Sequence, residues 1–111
     1  MTEQRVDGNI AYNSSREFYE LNGNTIMKLT PVAAADVCAE AEQYGKYVGR
    51  IEAGHWVKGG FQTDMSATWD AKIKLLEASD YRENNRLAIE NIHADHAEGF
   101  EAFFVTLCTI R

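Results

Sequence analysis

Three residues in the last third of the chain, Glu90, His93 and His96, have a spacing that could hold a metal ion. On a helix, residues three apart lie on one face, so this Glu-x-x-His pattern and the second histidine would present their side chains together. A carboxylate-bridged metal centre needs a second copy of the pattern, which the chain lacks. The sequence therefore predicts neither a metal ion nor another cofactor, and the alternative interpretation of the segment is a polar loop with two exposed histidines.

A histidine beside an acid could also transfer protons. His93 or His96 titrates near neutral pH, and Asp95 lies close to both in sequence. A nucleophile would have to come from elsewhere, and neither Ser66 nor Cys108 has an activating neighbour in sequence. The chain also lacks Gly-x-Ser-x-Gly, a phosphate-binding glycine loop followed by Lys, and His-Glu-x-x-His. These observations favour a protein without enzymatic activity, with His93 and Asp95 as the candidates for catalysis if it has any.

Charge is distributed unevenly along the chain, whose formal net charge is −6. Residues 31–45 carry Asp36, Glu40 and Glu42 with no Lys or Arg, and residues 80–101 carry six acids against two arginines. A general nucleic-acid binder usually presents a net basic surface, so direct nucleic-acid binding is disfavoured. The three acids of residues 31–45 are instead candidate contacts for a protein partner with a basic surface.

Two aromatic residues are further candidates for binding. Trp56 lies in the segment Gly54–Gly60, which mixes aromatic, basic and glycine residues and could project a Trp anchor into a partner. The alternative is a hairpin tip whose Trp folds back on the core. Phe104 lies on one apolar face of the last predicted strand, where a partner could cover it.

Local signals divide the chain into one helix and several strands. Residues Ser66–Leu75 alternate apolar and polar side chains, the two-residue period of a strand with one buried face. Thr30 and Pro31 can begin a helix that Gly45 ends. The other predicted elements are a hairpin over Arg16–Leu29 that turns at Asn22-Gly23, and strands over Lys46–Lys58, Arg86–His93 and Phe100–Ile110.

One segment allows a second interpretation. Asp80 with Glu83 could be a capping pair, and Ile89 and Ile92 have helical spacing, so a helix over residues 80–98 is the alternative to a strand. The three asparagines of the segment have low helix propensity, which favours the strand.

These elements predict an α+β fold, with one helix (about residues 31–44) packed on an antiparallel sheet of five to six strands in the order ββαββββ. The element order resembles the helix-wrapped sheet of cystatin-like folds, which implies a fold but no function. Residues 1–111 are expected to form a single domain, with residues 1–8 as a loose N-terminal arm.

Composition restricts the class of protein. Hydrophobic residues make up 45% of the chain and charged residues 25%, as in ordinary soluble domains. No apolar run approaches the roughly 18 residues of a membrane span, and the N-terminus lacks the apolar segment of a secretory signal. The chain is therefore expected to act in the cytoplasm, away from membranes.

The last predicted strand suggests a homodimer. Over Ala102–Ile110 both faces are apolar, and a strand that is apolar on both faces needs cover on both sides. Internal cover and a second copy of the chain are the two alternatives, and two-fold pairing is the commonest oligomer.

Two functions follow from these features. The first is a non-enzymatic acidic binding module, an inhibitor or regulator of a nucleic-acid-handling protein of the anti-CRISPR or anti-restriction type. The alternative is a cup for a small ligand or a reaction between a curved sheet and the helix, lined by Trp69, Phe104, Tyr47 and Tyr81. A sheet–helix interface filled by side chains favours the first function, whereas a deep aromatic cavity favours the second.

Overall fold

The structure is a computed structural model that describes residues 5–71, 74–75 and 77–110. Its elements in chain order are α1 (Ser15–Glu20), α2 (Pro31–Glu40) continued by a 3₁₀ turn (Ala41–Tyr44), β1 (Lys46–Val57), β2 (Gly60–Asp70), α3 (Ala78–Ala97) and β3 (Ala102–Thr109). The strands form one antiparallel sheet in the spatial order β2-β1-β3. Helices α2 and α3 pack against each other and share one buried core with the sheet, so the fold has two layers.

The predicted sheet of five to six strands in the order ββαββββ is wrong. The described residues contain three strands, and the order along the chain is ααββαβ. The resemblance to cystatin-like folds depended on the predicted order and does not hold. The α+β character remains, because helices cover one face of an antiparallel sheet.

The predicted hairpin over Arg16–Leu29 is a short helix followed by turns. Phe18 of α1 is buried, and the N–H of Gly23 donates to the carbonyl of Phe18 at 2.8 Å. Asn22 adopts a φ of 53°, so Asn-Gly ends a helix here instead of joining two strands. Leu29 makes only isolated bridges, one to Tyr12 and one to Phe103.

The segment after β2 is helix α3, so the strand predicted over Arg86–His93 is wrong and the alternative helix over residues 80–98 is right. A capping box begins α3, but it joins Glu77 to Asp80 and does not involve Glu83. The helix buries a stripe of side chains at helical spacing, Tyr81, Asn84, Asn85, Ala88 and Ile92.

The helix predicted over residues 31–44 corresponds to α2 and the 3₁₀ turn. The side chain of Thr30 accepts a hydrogen bond from the N–H of Ala33, Pro31 occupies the first turn, and Gly45 ends the turn with a φ of 69°. The buried side chains of α2 are small, Ala33, Ala34, Val37 and Cys38. Small side chains let the helix lie close to the sheet.

The sheet turns one face toward the helices and the other away from them. On the helix side, Ile51 of β1 pairs with Trp69 of β2 and Val105 of β3. Ile51 and Val105 are fully buried, and Trp69 packs partly buried against the core. The strand predicted over Ser66–Leu75 ends at Asp70, and Ile73 lies outside the described residues.

Three further predictions concern the loose N-terminal arm, the single domain and the lack of a membrane-spanning segment. Residues 1–4 of the expected arm lie outside the described part of the chain, and the single domain stays a prediction. Among the helices that the structure describes, none combines the length and the apolar character that a membrane crossing requires.

Candidate functional site

The candidate site is the face of the sheet that points away from the helices, here called the open face. Strand residues alternate between the two faces, so the neighbours of the buried core positions lie on this side. The molecule measures 43 × 41 × 18 Å, and its 18 Å thickness corresponds to one sheet and one layer of helices. The main side chains of the open face are Arg50, Glu52, Trp56, Phe61, Thr68, Asp70, Phe104 and Thr106.

Three aromatic rings from three strands meet on the open face and form what we call the aromatic patch, Trp56, Phe61 and Phe104. The Trp56 and Phe61 ring centroids are 5.1 Å apart with the planes at 69°, and those of Phe61 and Phe104 are 5.9 Å apart at 79°. Both pairs are edge-to-face, the arrangement that the quadrupoles of aromatic rings favour. All three side chains are half-buried, so the patch is both held in place and accessible.

The hairpin of β1 and β2 positions two of the three rings. Gly59 and Gly60 adopt φ values of 96° and 151°, which glycine tolerates, and this turn pairs Trp56 with Phe61 across the hairpin. Gly54 lies under the Phe61 ring, because a Cβ at position 54 would come within 2.8 Å of two ring atoms and would also meet the Gln62 carbonyl. The missing side chain at Gly54 therefore lets the ring lie flat on the sheet.

Charged side chains surround the aromatic patch. The Arg50 Nε donates to Asp70 at 2.7 Å, and this bond together with the negative charges of Asp70 and Glu52 raises the pKa of Arg50. Glu52 lies next to Phe104 across the β1–β3 pairing, and the Glu101 carboxylate accepts the N–H of Trp56 at 3.2 Å. Acidic groups thus lie on two sides of the patch.

Comparison with known proteins identifies the family. The family described as Colicin-E5 Imm protein matches residues 27–108. The colicin-E5 immunity protein of Escherichia coli is 47% identical over 81 residues, which cover 73% of this chain and 98% of that protein. The immunity protein CdiI of Burkholderia pseudomallei is 35% identical over 101 residues, or 91% of this chain and 92% of that protein. This chain belongs to the colicin-E5 immunity protein family.

The matched part of the chain contains the whole aromatic patch. Trp56 and Phe104, two of the binding residues predicted from sequence, lie together there because both contact Phe61. Phe61 was not among the predicted residues. The signal for it was the glycine-rich turn, because a two-residue loop of Lys58 and Gly59 pairs Val57 with Gly60 and therefore Trp56 with Phe61.

The predicted acidic residues lie in the helix layer, away from the aromatic patch. Asp36 is exposed on α2, and Glu40 accepts a hydrogen bond from the Ser15 hydroxyl at 2.7 Å. Glu42 lies 3.6 Å from the Arg82 Nε. Their role as contacts for a partner stays a prediction.

The candidate metal ligands do not converge. The Glu90 carboxylate pairs with the Arg86 guanidinium at 2.8 Å, and the His96 Nδ1 lies 3.4 Å from the Phe100 carbonyl oxygen. His93 is exposed on the same helix. Within the part of the chain that the structure describes, no three His, Cys, Asp or Glu side chains are grouped closely enough to hold a metal ion.

Asp95, a candidate for catalysis, has a pKa that its surroundings shift. Burial and then the nearby charge of Glu98 raise the pKa of Asp95, and a hydrogen bond from Asn91 at 3.4 Å opposes this effect. Its neighbour His93 is exposed on the surface of α3, and no hydrogen bond is formed between the two. The geometry gives this pair no partner for acid–base chemistry among the described residues.

The side chains of the predicted cup are not brought together. Trp69 lies on the helix side of the sheet and Phe104 on the open face, and Tyr81 contacts Tyr47 near the start of α3. The helix–sheet interface is filled by side chains with almost no exposure, such as Val37, Ile51 and Ile92. A filled interface favours a binding protein over a cup.

Proposed function

We propose that this chain binds a nuclease toxin and neutralises it, with the open face as the contact surface. The observation that carries the proposal is membership of the immunity protein family over residues 27–108. The family differs from the anti-CRISPR and anti-restriction classes that the small size, acidic charge and lack of catalytic motifs suggested, but the function is still inhibition of a nucleic-acid-handling protein.

Electrostatics and surface shape support the same function. A nuclease must hold a polyanion, so its substrate-binding surface carries Lys and Arg. The chain has a formal net charge of −6, which attracts such a surface over a long range. The aromatic patch supplies the ring side chains that dominate the energetics of protein interfaces.

Two finer predictions remain proposals. The cytoplasm is the compartment where this protein is expected to meet its toxin. A homodimer through Ala102–Ile110 would compete for the open face, because Phe104 and Cys108 of β3 are half-buried there. We propose the toxin as the occupant, and the oligomeric state of the complex distinguishes the two.

The test uses the nuclease domain of colicin E5 and, separately, the toxin that the Burkholderia pseudomallei CdiI neutralises. The purified chain should bind at least one of them and abolish its nuclease activity at equimolar concentration. Phe61→Ala should weaken that binding by about 30-fold or more, the effect of truncating an interface hot spot. Val32→Ala is the matched control, since Val32 is an exposed apolar residue of α2 in the helix layer.

Absence of inhibition of both toxins would contradict the proposed function. If the unaltered chain inhibits a toxin fully and Phe61→Ala lowers the affinity no more than Val32→Ala does, the function stands. The contact surface then lies elsewhere. A chain that sediments as a dimer and stays dimeric in the presence of toxin would assign the open face to a second copy.

A further inference from the structure

The aromatic patch already holds a cation of this chain. The Lys28 Nζ lies 5.3 Å from the Phe104 ring centroid, 5.4 Å from that of Phe61 and 5.8 Å from that of Trp56. A cation within about 6 Å of a ring face is attracted by the ring quadrupole. Three rings therefore act together on one ammonium group, so the patch is a binding site for cations as well as an apolar surface.

The rings form this site without help from the cation. Each ring contacts its neighbour edge-to-face, and the missing side chain of Gly54 leaves room for the Phe61 ring on the sheet. Trp56 is further held by the bond from its N–H to Glu101. A site fixed by its own contacts stays ready for a second cation when the first one leaves.

Lys28 is half-buried in the site, where the rings and one hydrogen bond hold it. Its ammonium donates one hydrogen bond, to the Gly8 carbonyl at 2.7 Å in an exposed setting. No carboxylate pairs with it among the residues that the structure describes. A lysine side chain is long and flexible, so it can leave the patch and have its ammonium hydrated by water.

The surroundings of the patch select for positive charge. Glu52 and Glu101 lie on two sides of the rings, and the chain as a whole is strongly acidic. We propose, on the basis of the function proposed above, that the aromatic patch receives an arginine side chain of the nuclease toxin and that Lys28 leaves the patch when the complex forms. Arginine fits better than lysine, because its planar guanidinium is weakly hydrated and stacks on aromatic faces.

The first test separates ring chemistry from apolar contact. Phe104→Leu keeps an apolar side chain but removes the quadrupole, and it should weaken binding of the colicin E5 nuclease domain by about 3- to 30-fold. Phe104→Tyr retains the ring and should bind within about twofold of the unaltered chain. Equal affinity for the Leu and Tyr variants would overturn the proposal, since the patch would then act as apolar surface only.

The second test follows Lys28. Lys28→Met removes the competing cation, so it should bind the nuclease domain at least as tightly as the unaltered chain does. Lys58→Met is the matched control, because it makes the same change of charge at an exposed position of the β1–β2 turn. Weaker binding by Lys28→Met than by Lys58→Met would show that Lys28 contacts the toxin itself, which contradicts the proposal.

Proton NMR gives a direct observation of the displacement. The ε-methylene protons of Lys28 should be shifted upfield by the ring currents in the free protein and should move to ordinary positions in the complex. Formation of the complex with the upfield shift retained would overturn the displacement of Lys28 and leave the proposed function intact. Absence of any complex would instead contradict the proposed function.

Discussion

Asp95 lies in a setting that disfavours its negative charge. Burial and the charge of Glu98 raise the pKa of Asp95, and the residue is close to the C-terminal end of α3, where the helix dipole is unfavourable to an acid. Because the folded-state pKa is above the unfolded-state pKa, the contribution of this group to stability is fully present below the unfolded-state pKa. It is lost as the pH rises through the folded-state pKa.

The prediction is that Asp95→Asn raises the free energy of unfolding near neutral pH. The gain should be less than about 1 kcal/mol, since the side chain is only half-buried and solvent screens its charge. Denaturant unfolding at about pH 7 and at about pH 3 measures it, and the gain should disappear at the lower value. Asp36→Asn is the control for a general loss of negative charge, and an equal gain there would contradict a local origin.

At the scale of the elements, α3 completes the sheet with two side chains. The last β2 residue in register with β1 is Asp70, and the N–H of Ala71 still donates to the carbonyl of Gly49 at 3.0 Å. At Val48 the backbone partners come from α3 instead. The Asn85 Oδ1 accepts the N–H of Val48 at 2.9 Å, and the Asn84 Nδ2 donates to its carbonyl at 2.8 Å. Two buried amides of a helix thus replace a neighbouring strand.

Asn85→Ala should therefore destabilise the fold. It leaves the buried N–H of Val48 without an acceptor, which costs about 1–3 kcal/mol. Asn91→Ala is the matched control on the same helix, where the single bond to Asp95 is long at 3.4 Å, and it should change stability by less than about 0.5 kcal/mol. Equal unfolding midpoints for the two variants would refute this role of Asn85.

The two long helices show which elements can be predicted from sequence. The signals of the helix over residues 31–44 are local, because Thr30, Pro31 and Gly45 act on their own neighbours. The asparagines of α3 have low helix propensity, and for Asn84 and Asn85 the compensation comes from Val48 of β1, about 36 residues away in sequence. That compensation is tertiary, so the sequence pattern favoured a strand.

The candidate site was predictable to a similar extent. Trp56 and Phe104 could be selected by residue type, since exposed aromatics are typical of interfaces. The contact of these two rings through Phe61 depends on the register of three strands. The position of Lys28 over the rings depends on the bridge from Leu29 to Phe103. The β1–β3 pairing and the bridge from Leu29 to Phe103 join residues that are far apart in sequence, so no short stretch of the chain encodes them.

At the scale of the whole molecule, negative charge should control how fast a basic toxin associates. Replacing Asp36 and Glu40 by Lys changes the formal net charge from −6 to −2, because each reversal adds two charges. Association with the colicin E5 nuclease domain should slow at low ionic strength. The difference in association rate between the variant and the unaltered chain should shrink as salt reduces the screening length to about 8–10 Å. Stopped-flow measurement showing equal rates at low salt would refute the role of this charge.

Division of the sheet into a helix-covered side and an open side has a consequence for divergence within this family. Ile51 and Glu52 are adjacent in the chain, yet one is fully buried and the other lies on the open face, and the same holds for Phe103 and Phe104. Substitutions at every second position of the strands change the open face while the interior keeps its packing. With the open face as the proposed contact surface, a duplicated gene would acquire a new partner by a few such changes, without passing through an intermediate that fails to fold.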